Sequence, residues 1–284
     1  MSGNLKALYR TVKTYTQLPS RGAFYDDSVI DTTKLSNEVA VRSMTGGDEL
    51  LFKNPDALLN GEALRNALIS CVDGLKSPEK LLINDVDALV VAMRIATYGE
   101  QMDINVDCPS CGNQNTFGLD LTLIQANMGV VEDSYVVDLS NGTSVFVRPY
   151  LYEDNLKVAL ATFEQTKLIR TLDNNNITEE DKLKAFDKTF KDLVKTNIEM
   201  LCNAIMSVHN DEHEIHVEHT KETHNDILDF MKNIDKTDND RIINKIKEVN
   251  QIGILKKLQV TCDHCKHEWE TPIEFEPVTF LSGS

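Results

Sequence analysis

Two C-x-x-C pairs, Cys108-Pro-Ser-Cys111 and Cys262-Asp-His-Cys265, constrain this chain more than anything else in it. Four thiols in two such pairs suit a closed tetrahedral zinc site, so the spacing predicts that Cys108, Cys111, Cys262 and Cys265 share one structural Zn. The pairs are separated by 150 residues. Any fold that joins them must return its C-terminal part to its middle. A zinc held by four thiolates has no open position for a substrate, which makes the expected role structural. Each pair alone also suits a redox dithiol, but that chemistry favours a strand-to-helix junction, where a helix N-terminus lowers a thiol pKa. Here period-two stretches flank both pairs: Met102–Asp107 and Asn115–Thr122 around the first, Ile254–Thr261 and His267–Phe275 around the second. Alternation of that kind predicts strands, and so a zinc ribbon split into two hairpins.

The remaining two cysteines fall on apolar helical stripes. Cys71 follows Leu64, Ala67 and Leu68, and Cys202 follows Val194, Ile198 and Leu201. Both read as small core hydrophobes. No secretory signal is recognisable, and six cysteines then fit a reducing compartment in which metal is preferred to disulfides.

The order of elements predicts an α+β fold. An amphipathic helix is expected around Leu5 to Tyr15, then a turn-rich segment, Leu18-Pro-Ser-Arg-Gly-Ala-Phe-Tyr25, then a strand from Glu38 to Ser43. Helices follow near 47–53, 61–72 and 84–98, the last almost wholly apolar and therefore central. Asn141-Gly142 between Tyr135–Ser140 and Thr143–Arg148 predicts a hairpin with a type I′ turn. Long helices are expected over 153–172 and 179–207, and shorter ones over 224–234 and 238–250. The chain thus divides into a helical N-terminal region with the first knuckle (1–122), an inserted hairpin and mainly helical domain (123–250), and the second knuckle completing the ribbon (251–284).

Composition narrows the function. Basic residues number 29 and acidic ones 45, a formal charge of −16 that repels a phosphate backbone. No nucleic-acid partner is expected. No apolar run approaches the roughly 20 residues of a membrane-spanning helix. Phosphate-loop, dinucleotide and nucleophile-elbow signatures are missing. The five histidines from His209 to His224 match neither zinc-protease nor deaminase spacing. They read as a solvated linker with a short strand near 214–217, or as a secondary metal site.

Leu18–Tyr25, then Val41-Arg-Ser-Met-Thr-Gly-Gly-Asp-Glu-Leu-Leu51, then Asn54-Pro-Asp-Ala-Leu-Leu-Asn-Gly61, and finally the two knuckles, stand in an order that resembles the baseplate hub proteins of T-even-like contractile-tailed bacteriophages. The resemblance covers most of the first 120 residues and resumes at the last knuckle. It implies a structural or assembly protein of the hub, with other baseplate or hub proteins as partners. It also implies a location in the host cytoplasm during assembly or in the virion tail baseplate, and it implies no catalysis. Two other classes stay open: a zinc-ribbon binding module or regulator engaging another macromolecule, and an unrecognised metal-dependent enzyme. Leu18, Phe24 and Tyr25 are the expected partner-binding residues, because nothing periodic in their Pro/Gly-containing segment requires their burial.

Overall fold

A helix that is apolar on every face has to be enclosed on every face. The helix Ile83–Tyr98 obeys this: Ala88, Leu89, Val91, Ala92 and Met93 are inaccessible to solvent at the centre of the larger of two cores. The computed structural model describes residues 11–34, 38–173, 179–210, 214–216, 221–273, 275 and 280–281.

Strand β1 (Val12–Thr16) pairs antiparallel with β2 (Val39–Arg42). Three short helices follow: α1 (Gly46–Phe52), α2 (Pro55–Leu59) and α3 (Glu62–Cys71). A capping box starts α1, in which the Thr45 hydroxyl accepts from the Asp48 N–H and the Asp48 carboxylate accepts from the Thr45 N–H. The same carboxylate accepts from Ser70 at 2.9 Å, tying α1 to α3. Asn54 caps α2, whose first residue is Pro55, a position that needs no N–H. Between α2 and α3, Gly61 is left-handed (φ +73°), and a Cβ there would lie 2.5 Å from Leu156 Cδ2. The left-handed backbone is what favours glycine there, since the end of the Leu156 side chain can shift. The central helix is α4 (Ile83–Tyr98), and it leads into the hairpin of β3 (Gln101–Asp107) and β4 (Gln114–Asp120), then α5 (Leu121–Ala126).

The second core is built on an antiparallel sheet in the order β5 (Tyr135–Asp138), β6 (Ser144–Val147), β7 (Ile205–His209), β8 (Glu214–His216). A long helical pair, α6 (Tyr152–Asp173) and α7 (Glu179–Asn203), connects β6 to β7. Helices α8 (Lys221–Asn233) and α9 (Lys236–Val249) cover the sheet, so that Val145, Val147, Ile205, Ile227, Ile242 and Ile246 form a cluster of their own. The last hairpin, β9 (Lys257–Thr261) with β10 (Glu268–Pro272), returns to the first core, where Ile254, Ile273, Phe280 and Leu281 are buried. Cys71 and Cys202 are both buried, as their stripes predict.

The architecture is α+β, and four local expectations change. Residues 1–10 lie outside those described, but from Val12 the chain is strand, not helix. The run Val12-Lys-Thr-Tyr-Thr16 has strong strand preference, and pairing with Val39 and Val41 decides it. The strand expected through Thr122 stops at Asp120, whose carboxylate caps α5 by accepting the Thr122 N–H at 2.9 Å. The helix expected to run to Ser207 ends at Asn203, because Ile205–His209 pairs with β6. The Asn141-Gly142 hairpin is not type I′, which needs both residues left-handed; only Gly142 is (φ +81°). A three-residue loop forms instead. Leu139 N–H donates to Thr143 O (2.8 Å) and Gly142 N–H to Leu139 O (3.2 Å). Asp238, on the first turn of α9, holds that loop by accepting from the N–H and hydroxyl of Ser140.

The turn-rich Leu18–Tyr25 segment is pinned to α4 through Asp85, which is fully buried. Its carboxylate accepts the Ser20 N–H at 2.9 Å, together with the hydroxyls of Ser20 and Tyr25. The Tyr25 oxygen in turn accepts the Leu82 N–H at 2.9 Å. Burial pushes the Asp85 carboxyl up to about 6, and the three donors only partly offset it. The sign follows: a carboxyl raised from 3.8 in the fold binds its proton more tightly than in the unfolded chain, so the contribution is favourable at low pH and is lost as pH rises toward 6. Relative to a non-titrating Asp85→Asn variant, the wild type should gain about 2 kcal/mol in urea unfolding between pH 7 and pH 4. A pH-independent difference between the two would contradict this.

Candidate metal centre

Each knuckle is a tight turn closed by its own backbone. In the first, Cys108 N–H donates to Asn113 O (2.9 Å) and Gly112 N–H to Cys108 O (2.9 Å). In the second, Cys262 N–H donates to His267 O (2.8 Å) and Lys266 N–H to Cys262 O (3.0 Å). The two turns are equivalent position by position, and the fifth residue of each is left-handed: Gly112 at φ +70° and Lys266 at φ +62°. The first cysteine of each pair is buried and the second is exposed.

The turns face each other across the gap between the two hairpins. Cys108 Sγ lies 3.7 Å from Cys265 Sγ, Cys111 Sγ lies 3.7 Å from Cys262 Sγ, and all four sulfurs fall within 4.8 Å of one another. Four sulfurs each about 2.3 Å from a central zinc stand about 3.8 Å apart, so the arrangement fits tetrahedral coordination. No pair is at disulfide distance, and all six cysteines are free. The backbone N–H groups of Cys265 and His264 favour the Cys262 thiolate and bring it down to about 6. Cys111 goes the other way, up to about 12. The Asn113 N–H favours its thiolate, but burial and the neighbouring thiols of Cys265, Cys108 and Cys262 outweigh it. Thiolates this close share protons unless a cation neutralises them, and a divalent metal provides that charge.

Residues outside the pairs complete the site. Asn115 is buried on β4; its Oδ1 accepts the Asp263 N–H at 3.0 Å and its Nδ2 donates to Asn113 O at 2.8 Å, one side chain bridging both knuckles. Trp269 meets Phe117 edge to face at 6.2 Å and stacks on His267 at 6.0 Å, packing one hairpin on the other. A period-two pattern carries no signal for either role. Only the position of Asn115 beside the first knuckle hints at it.

The expected partner-binding residues separate in the structure. Leu18 is 4% exposed and packs in the larger core, and the Tyr25 hydroxyl is held inside by Asp85 and Leu82, because the loop folds over α4. Phe24 and the rest of the Tyr25 ring are half-buried. Of the histidines, His209 ends β7 and accepts or donates through Nε2 to the Ser207 hydroxyl at 2.7 Å. His216 ends the short strand β8, while His213 and His219 lie outside the described residues. Among the described residues, the cysteine quartet is the only group placed to hold a metal.

A family model described as T4 bacteriophage base plate protein matches residues 14–281. The chain belongs to this family. No curated protein and no solved structure gives a significant match. As a T4-type baseplate protein it has a structural role in a phage tail, with contacts to other phage proteins, and its four-cysteine cluster could hold a metal within that framework. No helix among the described residues is long and apolar enough to cross a membrane.

Metal analysis of this baseplate protein should return one ion per chain, and Cys262→Ser should remove it. Chelation should lower the melting temperature by about 10 °C or more, since the site closes a long loop. Metal-free protein with four freely titrating thiols would contradict the site. Gly112→Ala should cost about 1 kcal/mol in thermal unfolding with metal retained, because a Cβ disfavours the left-handed turn.

Proposed function

We propose that this protein is a structural or assembly component of the baseplate hub in a contractile phage tail, working through protein–protein contacts with other baseplate or hub proteins. The metal is a structural Zn, held by Cys108, Cys111, Cys262 and Cys265. The observation that carries this reading is the closed site: four thiolates fill a tetrahedral ion, so the metal has no position left for substrate and serves to hold shape. The family match and the order of the three N-terminal motifs support a baseplate setting for the chain.

Three units follow from this reading: 1–122, the insertion 123–250, and 251–284 completing the ribbon. Support comes from the two separate cores, one drawing on residues from both ends of the chain and the other confined to the insertion. The protein acts in the host cytoplasm during assembly and in the tail baseplate. Of the three loop residues, Phe24 and Tyr25 keep part of their surface for a contact, with Leu18 supporting them from within.

Deletion of the gene should abolish baseplate completion, and the wild-type gene supplied in trans should restore it. The same gene carrying Cys262→Ser should restore it poorly at high temperature. Mass spectrometry of purified tails then reports whether the chain stays in the particle. Normal tails and normal phage yield from the deletion would end the hub reading.

A further inference from the structure

Helix α7 leaves one apolar stripe open to solvent. Leu183, Phe186, Phe190 and Val194 recur at the spacing of a single helix face and are 74%, 47%, 51% and 41% exposed, while the neighbouring row of Ala185, Thr189 and Leu193 is half-buried. Isolated apolar side chains on a surface are ordinary, but four on one face over about 17 Å form a continuous patch. Their exposed area is on the order of 450 Å², the size at which a patch on a monomer marks an interaction site. Charge along this stretch is balanced: four lysines stand against three acids between Leu183 and Glu199, in a chain that carries −16. Two of those lysines are ion-paired within the helix, Lys191 with Asp187 (2.6 Å) and Lys195 with Glu199 (3.7 Å). Such a face favours neither an acidic nor a basic partner, and the chain's overall charge is concentrated elsewhere.

We propose that this face pairs with the same face of a second copy of the chain, the two α7 helices running antiparallel across a two-fold axis near Lys188. The stripe is self-complementary about that position: an axis that brings Phe186 against Phe190 of the second copy also brings Leu183 against its Val194, since both pairs are centred on the same turn. The axis maps each flank of the helix onto itself. Asp187 and Lys191, one turn apart beside the stripe, therefore meet Lys191 and Asp187 of the second copy, opposite charge against opposite charge. With lysine stems covering the edges, the pair removes roughly 1,000 Å² of total surface from water, the lower limit for a specific contact and the size of a weak dimer. This goes beyond the hub reading, in which the number of copies that meet is open.

Sedimentation equilibrium of the full-length, metal-loaded protein, at an ionic strength of about 0.15 M that screens the net charge, should show a monomer–dimer equilibrium with a Kd of about 10–100 μM. Phe186→Gln combined with Phe190→Gln should weaken it at least about tenfold, while the melting temperature of the dilute protein moves by less than about 3 °C, because both side chains are exposed. Asp187→Lys and Lys191→Asp should each weaken self-association about fivefold, and an equimolar mixture of the two should recover a heterodimer as tight as the wild type, each copy supplying the charge the other lacks. That recovery reports a contact between copies, because the ion pair inside each helix stays broken in the mixture. A monomer at every concentration up to about ten times that Kd, a dimer indifferent to the double Phe variant, or a mixture that associates no better than its parts would each overturn the proposal. The hub reading is tested separately, by the gene deletion.

Discussion

Four sulfur atoms within 4.8 Å of one another join positions 151 residues apart, and the rest of the architecture is arranged around that closure. Joining the ends of so long a loop removes on the order of 5 kcal/mol of chain entropy from the unfolded state if the link behaves as a covalent one does. An entire second core lies inside the loop. The closure therefore sets where the insertion can sit without contributing any residue to its interior.

A second closure works without metal. Asn84 and Asp85, adjacent on the first turn of α4, hold two segments that are remote in sequence. Asp85 takes the Leu18–Tyr25 loop, and Asn84 Nδ2 donates to Val249 O (3.1 Å) and Ile252 O (2.5 Å) where α9 ends. Residues 129–131 bind both segments through backbone: Val131 N–H donates to Pro19 O (2.8 Å) and Gly129 N–H to Gly253 O (2.9 Å). The Asn84 Nδ2 and the Asp85 carboxylate replace water by directed partners, which is what makes such burial tolerable. Helix α4 is thus both the apolar centre of the larger core and the point where the N-terminal loop and the return of the chain are fastened.

What could be read from the sequence follows from the range of the physics involved. The C-x-x-C pairs and the apolar α4 run are local signals, and each specifies its own outcome. The exit from α7 was not legible, because Ile205–His209 suits a strand only when β6 lies beside it, and β6 is about 60 residues earlier in the chain. Asn141-Gly142 failed for the same reason: Asp238 decides the loop, and it lies 98 positions away. At the candidate site, the clustering of the four thiols was legible and its support was not. Asn115 is one asparagine among many until Asp263 is placed opposite it. Tyr25 looked unpartnered in one dimension because its partner, Asp85, is 60 residues on, and Leu18 because the core that buries it draws on residues from the whole length of the chain.

The long closure also has a consequence in time. A chain that emerges from the ribosome at roughly 5–20 residues per second presents Cys108 and Cys111 about 8 to 30 seconds before Cys262 and Cys265 exist. During that interval the first knuckle has only half a ligand set and its thiols are open to oxidation or to borrowing a ligand from another chain. The insertion, whose core is complete without either knuckle, has that interval in which to fold. The nascent protein is then a finished inner unit carried on an unfinished outer one, and the last step of its maturation is an encounter between two ends that were made far apart.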